Sequence, residues 1–165
     1  ALMNEFNSDR VLLQERMINA FETLKNFDQV DKNKTGAIGF CFGGKCALDL
    51  ARSGEDIKGV VSFHGLYDAP TASTGKQLKG TLKIDSSILI LHGYDDPMAT
   101  PKSMVELADE LNSKKAKWQI HAYGNVGHAF TNPEANQRES GLFYDQYADE
   151  HSWNEMKNFF SKLFL

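Results

Sequence analysis

A glycine-flanked cysteine joins an apolar strand to a helical segment, and this turn constrains the chain more than any other feature. The strand reads GAIGF over Gly36–Phe40, and CFGG follows it at positions 41–44. A Gly-x-Cys-x-Gly pattern between a strand and a helix is typical of the sharp turn that presents a nucleophile above a sheet. We expect Gly39 and Gly43 to be glycine because a Cβ would clash with neighbouring chain there. The turn therefore predicts Cys41 as a nucleophile.

The start of a helix makes such a cysteine more acidic than a free thiol. The helix dipole and free N–H groups stabilise thiolate, so we expect the pKa of Cys41 to lie below its ordinary value. The N–H of Phe42 is placed to donate to a developing oxyanion. Two alternatives stay open: Cys41 is a small buried hydrophobe in a tight turn, or the glycines bind phosphate. The phosphate alternative lacks both the Gly-x-Gly-x-x-Gly spacing and a Gly-Lys-Ser/Thr sequence.

Apolar runs and helical patterns alternate along the chain, which predicts an α/β fold with a mostly parallel sheet. The predicted strands cover residues 36–40, 57–63, 87–91 and 118–123. Helical patterns cover residues 9–26, the segment after Cys41, the segment after Thr100-Pro101, and the end of the chain from Trp153. Such alternation is typical of right-handed crossovers with helices on both faces of the sheet. With 165 residues and no repeat or linker, we expect a single domain over residues 1–165.

A carboxylate and a histidine follow the third and fourth predicted strands, in the chain order that a nucleophile turn requires. The third strand leads into Asp95 and Asp96, and the fourth leads into His128. We predict His128 as the base and Asp96 as the acid that orients it. Asp96 is preferred to Asp95 because the loop needs a few residues to turn back over the sheet, and Pro97 fixes that turn. The alternative is that both aspartates only stabilise the turn.

The other histidines have weaker links to this chemistry. His64 ends the second predicted strand beside Gly65, and a substrate-binding role and a packing role are equally supported there. His92 and His121 lie within or at the end of strands, where a hydrogen-bonded structural role fits better, and we expect His151 at the surface. No histidine has the short spacing to Cys, Asp or His that zinc sites show, so no metal site is predicted.

The net charge and the spacing of the cysteines limit which binding partners and which cellular compartment the sequence favours. The net charge of −4 argues against nucleic acid and anionic membrane as partners, and no apolar run is long enough to span a bilayer. Residues 1–6 lack the pattern of a signal peptide. Cys41 and Cys46 should lie about 8 Å apart, beyond the limit of about 7 Å for a disulfide, so we expect free thiols and a structural role for Cys46. Free thiols favour the cytoplasm.

Taken together, these motifs resemble the dienelactone hydrolase (carboxymethylenebutenolidase) family of α/β-hydrolases. The resemblance covers nearly the whole chain and rests on residues 39–44 (GFCFGG), 60–65 (VVSFHG), 92–97 (HGYDDP), 123–124 (YG) and 127–130 (GHAF). It implies that Cys41, Asp96 and His128 form a triad and that Phe42 supplies one oxyanion N–H. The family's reaction is hydrolysis of a lactone or ester through an acyl-cysteine intermediate, without a metal or organic cofactor.

Two departures from the family pattern limit what the resemblance implies. Family members have further strands before the nucleophile turn, including the second oxyanion donor, whereas only one predicted helix precedes it here. Asn132 stands four residues after His128, where dienelactone-specific members tend to carry arginine. We therefore expect a hydrolase of a small ester or lactone, with a thioesterase or general carboxylesterase as the near alternative. The other alternative is a non-catalytic fragment that is stable only in association, for example as a homodimer.

Overall fold

Four parallel strands form the central sheet of the computed structural model, which describes residues 2–70, 80 and 83–165. The strands lie side by side in chain order, and each pairs in parallel with the next. They are β1 (Gly36–Phe40), β2 (Gly59–Phe63), β3 (Ser87–Gly93) and β4 (Lys117–Tyr123). Because parallel neighbours require crossover connections, their carboxyl ends all lie at one edge of the sheet.

Helices cover both faces of this sheet, as the alternating pattern predicts. A short helix, α1, precedes the others, and α5 follows the last strand of the sheet. Within the described ranges, the α-helices are α1 (Leu2–Ser8), α2 (Arg10–Lys25), α3 (Phe42–Arg52), α4 (Pro101–Ser113) and α5 (Gln146–Leu163). Among the described residues, none of the helices is both long and apolar enough to cross a membrane.

The core consists of two apolar layers, one on each side of the sheet. The first layer contains Phe21 of α2, Leu48 of α3 and Leu107 of α4, together with Val60 and Ile88 of the sheet. In the second, Met156 of α5 packs against the face that carries Val61. Successive residues of a strand point to opposite faces, so one strand supplies both layers. This explains why β2 and β3 are almost continuously apolar in the sequence.

Element boundaries differ from the prediction where periodicity carries little information. The second strand begins at Gly59 rather than at residue 57, and the third continues to Gly93. The connection after β4 contains β5 (Asn136–Gln137), a 3-10 helix (Arg138–Ser140) and β6 (Leu142–Phe143), none of which the sequence predicts. Strands of two residues are too short to show an alternating pattern.

A buried ion network ties three helices together behind the nucleophile turn. Asp49 of α3 is fully buried, and its carboxylate accepts from Arg10 of α2 (Nη2–Oδ2, 2.7 Å) and from Arg52 (Nη1–Oδ1, 3.0 Å). Arg52 also donates to Glu110 of α4 (Nη2–Oε2, 2.6 Å). Because each buried charge has partners of opposite sign, the network fixes the helix that follows Cys41 without leaving an unpaired charge.

Candidate active site

Cys41 lies in a strained turn between β1 and α3. Its φ of 53° is in the left-handed region, which a residue with a side chain adopts at a cost. The N–H of Cys41 still donates to the Phe63 carbonyl (3.0 Å), and its own carbonyl accepts from Gly44 N–H (3.0 Å). The backbone is therefore held on both sides, and the side chain stands at the carboxyl edge of the sheet.

Close packing requires two glycines in this turn, and only one of them, Gly39, is among the two that the sequence predicts. A Cβ on Gly39 would overlap the carbonyl of Gly43, as expected. On Gly43, a Cβ would meet no described atom within 4 Å, so the expected clash there is wrong. The second tight position is Gly44, where a Cβ would overlap the Ser62 hydroxyl and lie 2.9 Å from Gly65 Cα. Gly44, and not Gly43, must be a glycine because α3 packs against the end of β2 at this residue.

The structure brings His128 and Asp96 into direct contact. His128 donates from Nδ1 to Asp96 Oδ2 at 2.7 Å, and the two residues are only 2% exposed. The other carboxylate oxygen, Oδ1, accepts from the N–H groups of Met98 (2.7 Å) and Ala99 (3.1 Å). Asp95 is exposed. The carboxylate of Asp96 is thus fixed by its own loop and aimed at His128.

Cys41 and His128 interact in a way that favours their charged forms. Burial opposes an imidazolium, but the interactions with the side chains of Asp96 and Cys41 outweigh it and raise the pKa of His128 to about 9. The side-chain interaction with His128 lowers the pKa of Cys41 against the effect of burial, with help from the Phe42 N–H. Each side chain therefore stabilises the charged form of the other, the thiolate of Cys41 and the imidazolium of His128.

The contact between these two side chains does not have the geometry of a regular hydrogen bond. Because Nδ1 of His128 is bonded to Asp96, Nε2 is the ring nitrogen that is available to interact with Cys41. This nitrogen is buried and has no partner of regular hydrogen-bond geometry in the described part of the chain. Hydrogen bonds between catalytic groups are often long without substrate and tighten when it binds.

Phe42, the predicted oxyanion donor, is the first residue of α3. The N–H groups in the first turn of a helix lack intrahelical acceptors, so the Phe42 N–H has none within its own helix.

His64 lies behind His128 rather than in an open pocket. Its side chain is 3% exposed, and its ring meets the His128 ring edge-on, with centroids 5.0 Å apart. Its Nε2 shares a 2.8 Å hydrogen bond with the hydroxyl of Thr131. Thr131 was not singled out in the sequence, where its position three residues after His128 is the signal that could have identified it. Substrate binding by His64 stays a prediction.

The remaining histidines and the second cysteine lie outside this arrangement. His92 is fully buried and bonds through Nδ1 to the Tyr67 hydroxyl (3.0 Å), as expected for a structural histidine. His121 is partly exposed on β4, and His151 is exposed on α5. Cys46 is a free thiol like Cys41, but burial and then the charge of Asp49 raise its pKa to about 11.

The described residues form no candidate metal site, and their best-defined cavity lies away from Cys41. Within that part of the chain, no group of three or more His, Cys, Asp or Glu side chains is arranged to hold a metal ion. A cavity of about 410 Å³ lies beside α4, where Tyr67, Met98 and Glu110 contribute to its wall. Neither Cys41 nor His128 lines it, so geometry alone does not link this cavity to the triad.

Comparison with known proteins identifies relatives over nearly the whole chain. The model of the dienelactone hydrolase family matches residues 1–164. An uncharacterised protein of Caenorhabditis elegans is 36% identical over 154 residues, which are 92% of this chain and 94% of that protein. A probable 2-oxo-3-(5-oxofuran-2-ylidene)propanoate lactonase of a Bradyrhizobium species is 27% identical over 138 residues, 82% of this chain and 53% of the lactonase.

A solved structure extends this similarity to the fold. The crystal structure of a dienelactone hydrolase-like promiscuous phosphotriesterase from metagenomic libraries superposes with a TM-score of 0.84 at 37% identity. The superposition covers 97% of this chain and 65% of that one, so the chain spans only part of this relative and about half of the bacterial lactonase. The α/β-hydrolase fold is thereby confirmed. With a family model matched from residue 1 to residue 164, the chain belongs to the dienelactone hydrolase family.

Proposed function

We propose that this protein hydrolyses a small carboxylic ester or lactone through an acyl-cysteine intermediate. The observation that carries the proposal is the geometry of the site: Cys41 stands in a strained turn at the start of α3, and the buried carboxylate of Asp96 orients His128. The interaction between Cys41 and His128 also lowers the pKa of the cysteine and raises that of the histidine. A thiolate is the nucleophilic form of cysteine, and an imidazolium can donate a proton to a leaving group. Asp96 holds the imidazole in the tautomer that this exchange requires.

The proposed reaction has two halves. The Cys41 thiolate attacks the carbonyl carbon, and the oxygen that becomes negative accepts a hydrogen bond from the Phe42 N–H. The carbon–oxygen bond to the alcohol then breaks, and His128 gives its proton to the departing oxygen. In the second half, His128 takes a proton from water, and the hydroxide attacks the acyl-cysteine. The carbon–sulfur bond breaks, which releases the acid and restores the thiolate.

Two kinds of observation support the substrate class. The chain belongs to the dienelactone hydrolase family, and one relative is named as a probable lactonase. Asn132 stands where the family resemblance leads us to expect arginine in dienelactone-specific members, so we favour a general small ester or lactone over dienelactone itself. Another relative is described as a promiscuous phosphotriesterase, which makes a phosphotriester a useful second substrate in the assay.

The experiment is a burst assay with p-nitrophenyl acetate, followed by mass spectrometry of the quenched protein. We expect a rapid release of nitrophenol and one acetyl group on the peptide that contains Cys41. In Cys41→Ala, both signals should disappear, whereas Cys46→Ala should retain them because Cys46 lies outside the site. Turnover at the wild-type rate in Cys41→Ala would contradict the proposal.

A second candidate is a protein that depends on association with another chain, such as a homodimer. It is supported by β1, which is one of the two edge strands of the sheet formed by the described residues. On this strand, Ile38 and Phe40 are 45% and 39% exposed. An exposed apolar edge strand is a ready site for pairing with another strand. Sedimentation with a parallel esterase assay separates the candidates, since a stable active monomer excludes dependence on association.

We also infer that the protein works in the cytoplasm. Both cysteines are free thiols, and the proposed reaction requires Cys41 to stay reduced. Fractionation of cells that express the natural protein, followed by alkylation of free thiols, tests this location.

A further inference from the structure

We infer that His64 is a positioning residue, which holds the ring of His128 in the orientation that Cys41 requires and is itself held by Thr131. The inference rests on the proposed function, because it assigns a role to His64 within the same site. It differs from both roles that the sequence leaves open for His64, namely contact with substrate and simple packing.

The His128 ring needs a second support because its regular hydrogen bond lies on one side only. The bond to Asp96 fixes Nδ1, but one hydrogen bond leaves the ring free to tilt about it. The His64 ring stands edge-on to that ring, with an interplanar angle of 66° and centroids 5.0 Å apart. Phe130 in turn packs edge-on against His64, with centroids 5.1 Å apart. The tilt of His128 is therefore limited by a ring that cannot itself move away.

The backbone and side chain of His64 are both fixed. Its φ of 35° lies in the left-handed region, and such strained residues cluster at functional sites. Its N–H donates to the Leu91 carbonyl (2.8 Å), which anchors it to the end of β3. Its Nε2 bonds to Thr131, which belongs to the same loop as His128. This bond ties the end of β2 to the loop that carries the base.

Simple packing does not explain a histidine at this place. The Nδ1 atom of His64 is buried without a hydrogen-bond partner among the described residues. A buried unpaired nitrogen costs free energy that a phenylalanine or leucine of similar size would avoid. What histidine adds is a flat ring with a nitrogen that reaches Thr131. The hydrogen bond to Thr131 is thus the feature that an apolar residue could not supply.

The charge state of His64 is compatible with its place beside an imidazolium. Burial and then the charge of His128 lower the pKa of His64 to about 4, against the opposing effect of Asp96. These are the two titratable groups that act on it, and its other neighbours, Phe40, Phe130 and Thr131, are uncharged. At neutral pH the ring is uncharged, so it supports His128 without repelling its positive form.

The test measures the ionisation of Cys41 directly, through the rate of its alkylation by iodoacetamide as a function of pH. All variants carry Cys46→Ala, so that only one thiol reacts. His64→Leu removes the ring and the hydrogen bond, Thr131→Val removes only the bond at nearly the same shape, and Thr131→Ser keeps the hydroxyl. His121→Gln on β4 is the matched control.

We expect the alkylation midpoint to rise by about one pH unit in His64→Leu, since the thiolate loses a well-placed imidazolium. For p-nitrophenyl acetate, kcat should fall about tenfold while KM stays within about twofold. Thr131→Val should shift both quantities in the same direction but less, and Thr131→Ser and His121→Gln should match the wild type. His64→Leu with Thr131→Val should be no worse than His64→Leu alone, because both act through one contact.

Two outcomes would overturn the inference. A wild-type midpoint and kcat for folded Thr131→Val and His64→Leu, with only a lower melting temperature, would show that His64 merely packs. A higher KM at unchanged kcat would show that it contacts substrate. If His64→Leu does not fold, the Thr131 pair decides the question, because only the valine variant should move the midpoint. Absence of turnover in the wild type would count against the proposed function, whereas the alkylation midpoint would still test the positioning.

Discussion

His128 donates a 2.7 Å hydrogen bond to Asp96, and both side chains are almost completely buried. The bond joins the loop after β4 to the loop after β3, two segments that are 32 residues apart in the chain. In a buried setting this bond is stronger than it would be in water, and it leaves Nε2 of His128 available for Cys41.

The first prediction concerns which of two adjacent aspartates orients the base. Asp96→Asn should lower kcat for an ester substrate roughly 100-fold or more, because the amide favours the wrong imidazole tautomer. Asp95→Asn is the matched control, and it should stay within about twofold because this side chain is exposed. Steady-state kinetics on both purified variants provides the measurement. Equal losses in the two variants would contradict the assignment.

The second prediction concerns pH dependence. A plot of kcat/KM against pH should be bell-shaped, with the pair of Cys41 and His128 titrating as a unit. The acid limb falls where the thiolate gains a proton, below the ordinary thiol pKa because His128 lowers it. The alkaline limb falls near pH 9, where the imidazolium loses the proton that it gives to the leaving group. In Asp96→Asn, the alkaline limb should move to lower pH, and an unmoved limb would contradict the stated cause.

The third prediction concerns the two thiols, both of which are partly exposed. At pH 7, iodoacetamide should modify Cys41 at least tenfold faster than Cys46, because only the Cys41 pKa is lowered, while that of Cys46 is raised to about 11. Peptide mass spectrometry after a short exposure gives the two rates. In His128→Ala the preference should shrink strongly, and its persistence would show that the helix start alone activates Cys41.

The fourth prediction separates two glycines of the nucleophile turn. Gly39→Ala should lower the free energy of unfolding by at least about 2 kcal/mol, because its Cβ would overlap the Gly43 carbonyl, which is backbone and cannot move aside. Gly43→Ala meets no described atom, so the free energy of unfolding should stay the same or rise by up to about 1 kcal/mol. Urea denaturation followed by circular dichroism checks both. Similar losses in the two variants would show that Gly43 is also sterically required.

Much of the fold could be predicted because the relevant signals are local. The strands around Val60 and Ile88 are recognisable as short apolar runs, and Asp9 and Thr100 are capping residues at the starts of α2 and α4. The choice of Asp96 over Asp95 followed from the geometry of a turn before proline, and the structure places Asp96, not Asp95, against His128. The short strands β5 and β6 could not be predicted, because two residues carry no periodicity.

By itself the sequence determined the order of strands and helices, the turn that presents Cys41, and the positions of His128 and Asp96 after the correct strands. These depend on neighbours in the chain, on glycine and proline geometry, and on side-chain periodicity. Only the tertiary structure decided that Gly44 rather than Gly43 is sterically tight and that Arg10 and Arg52 share Asp49. It also decided that the His64 ring contacts the His128 ring and bonds to Thr131. Each of these relationships joins separate elements, whose distance apart is set by how helices and strands pack and not by any local pattern.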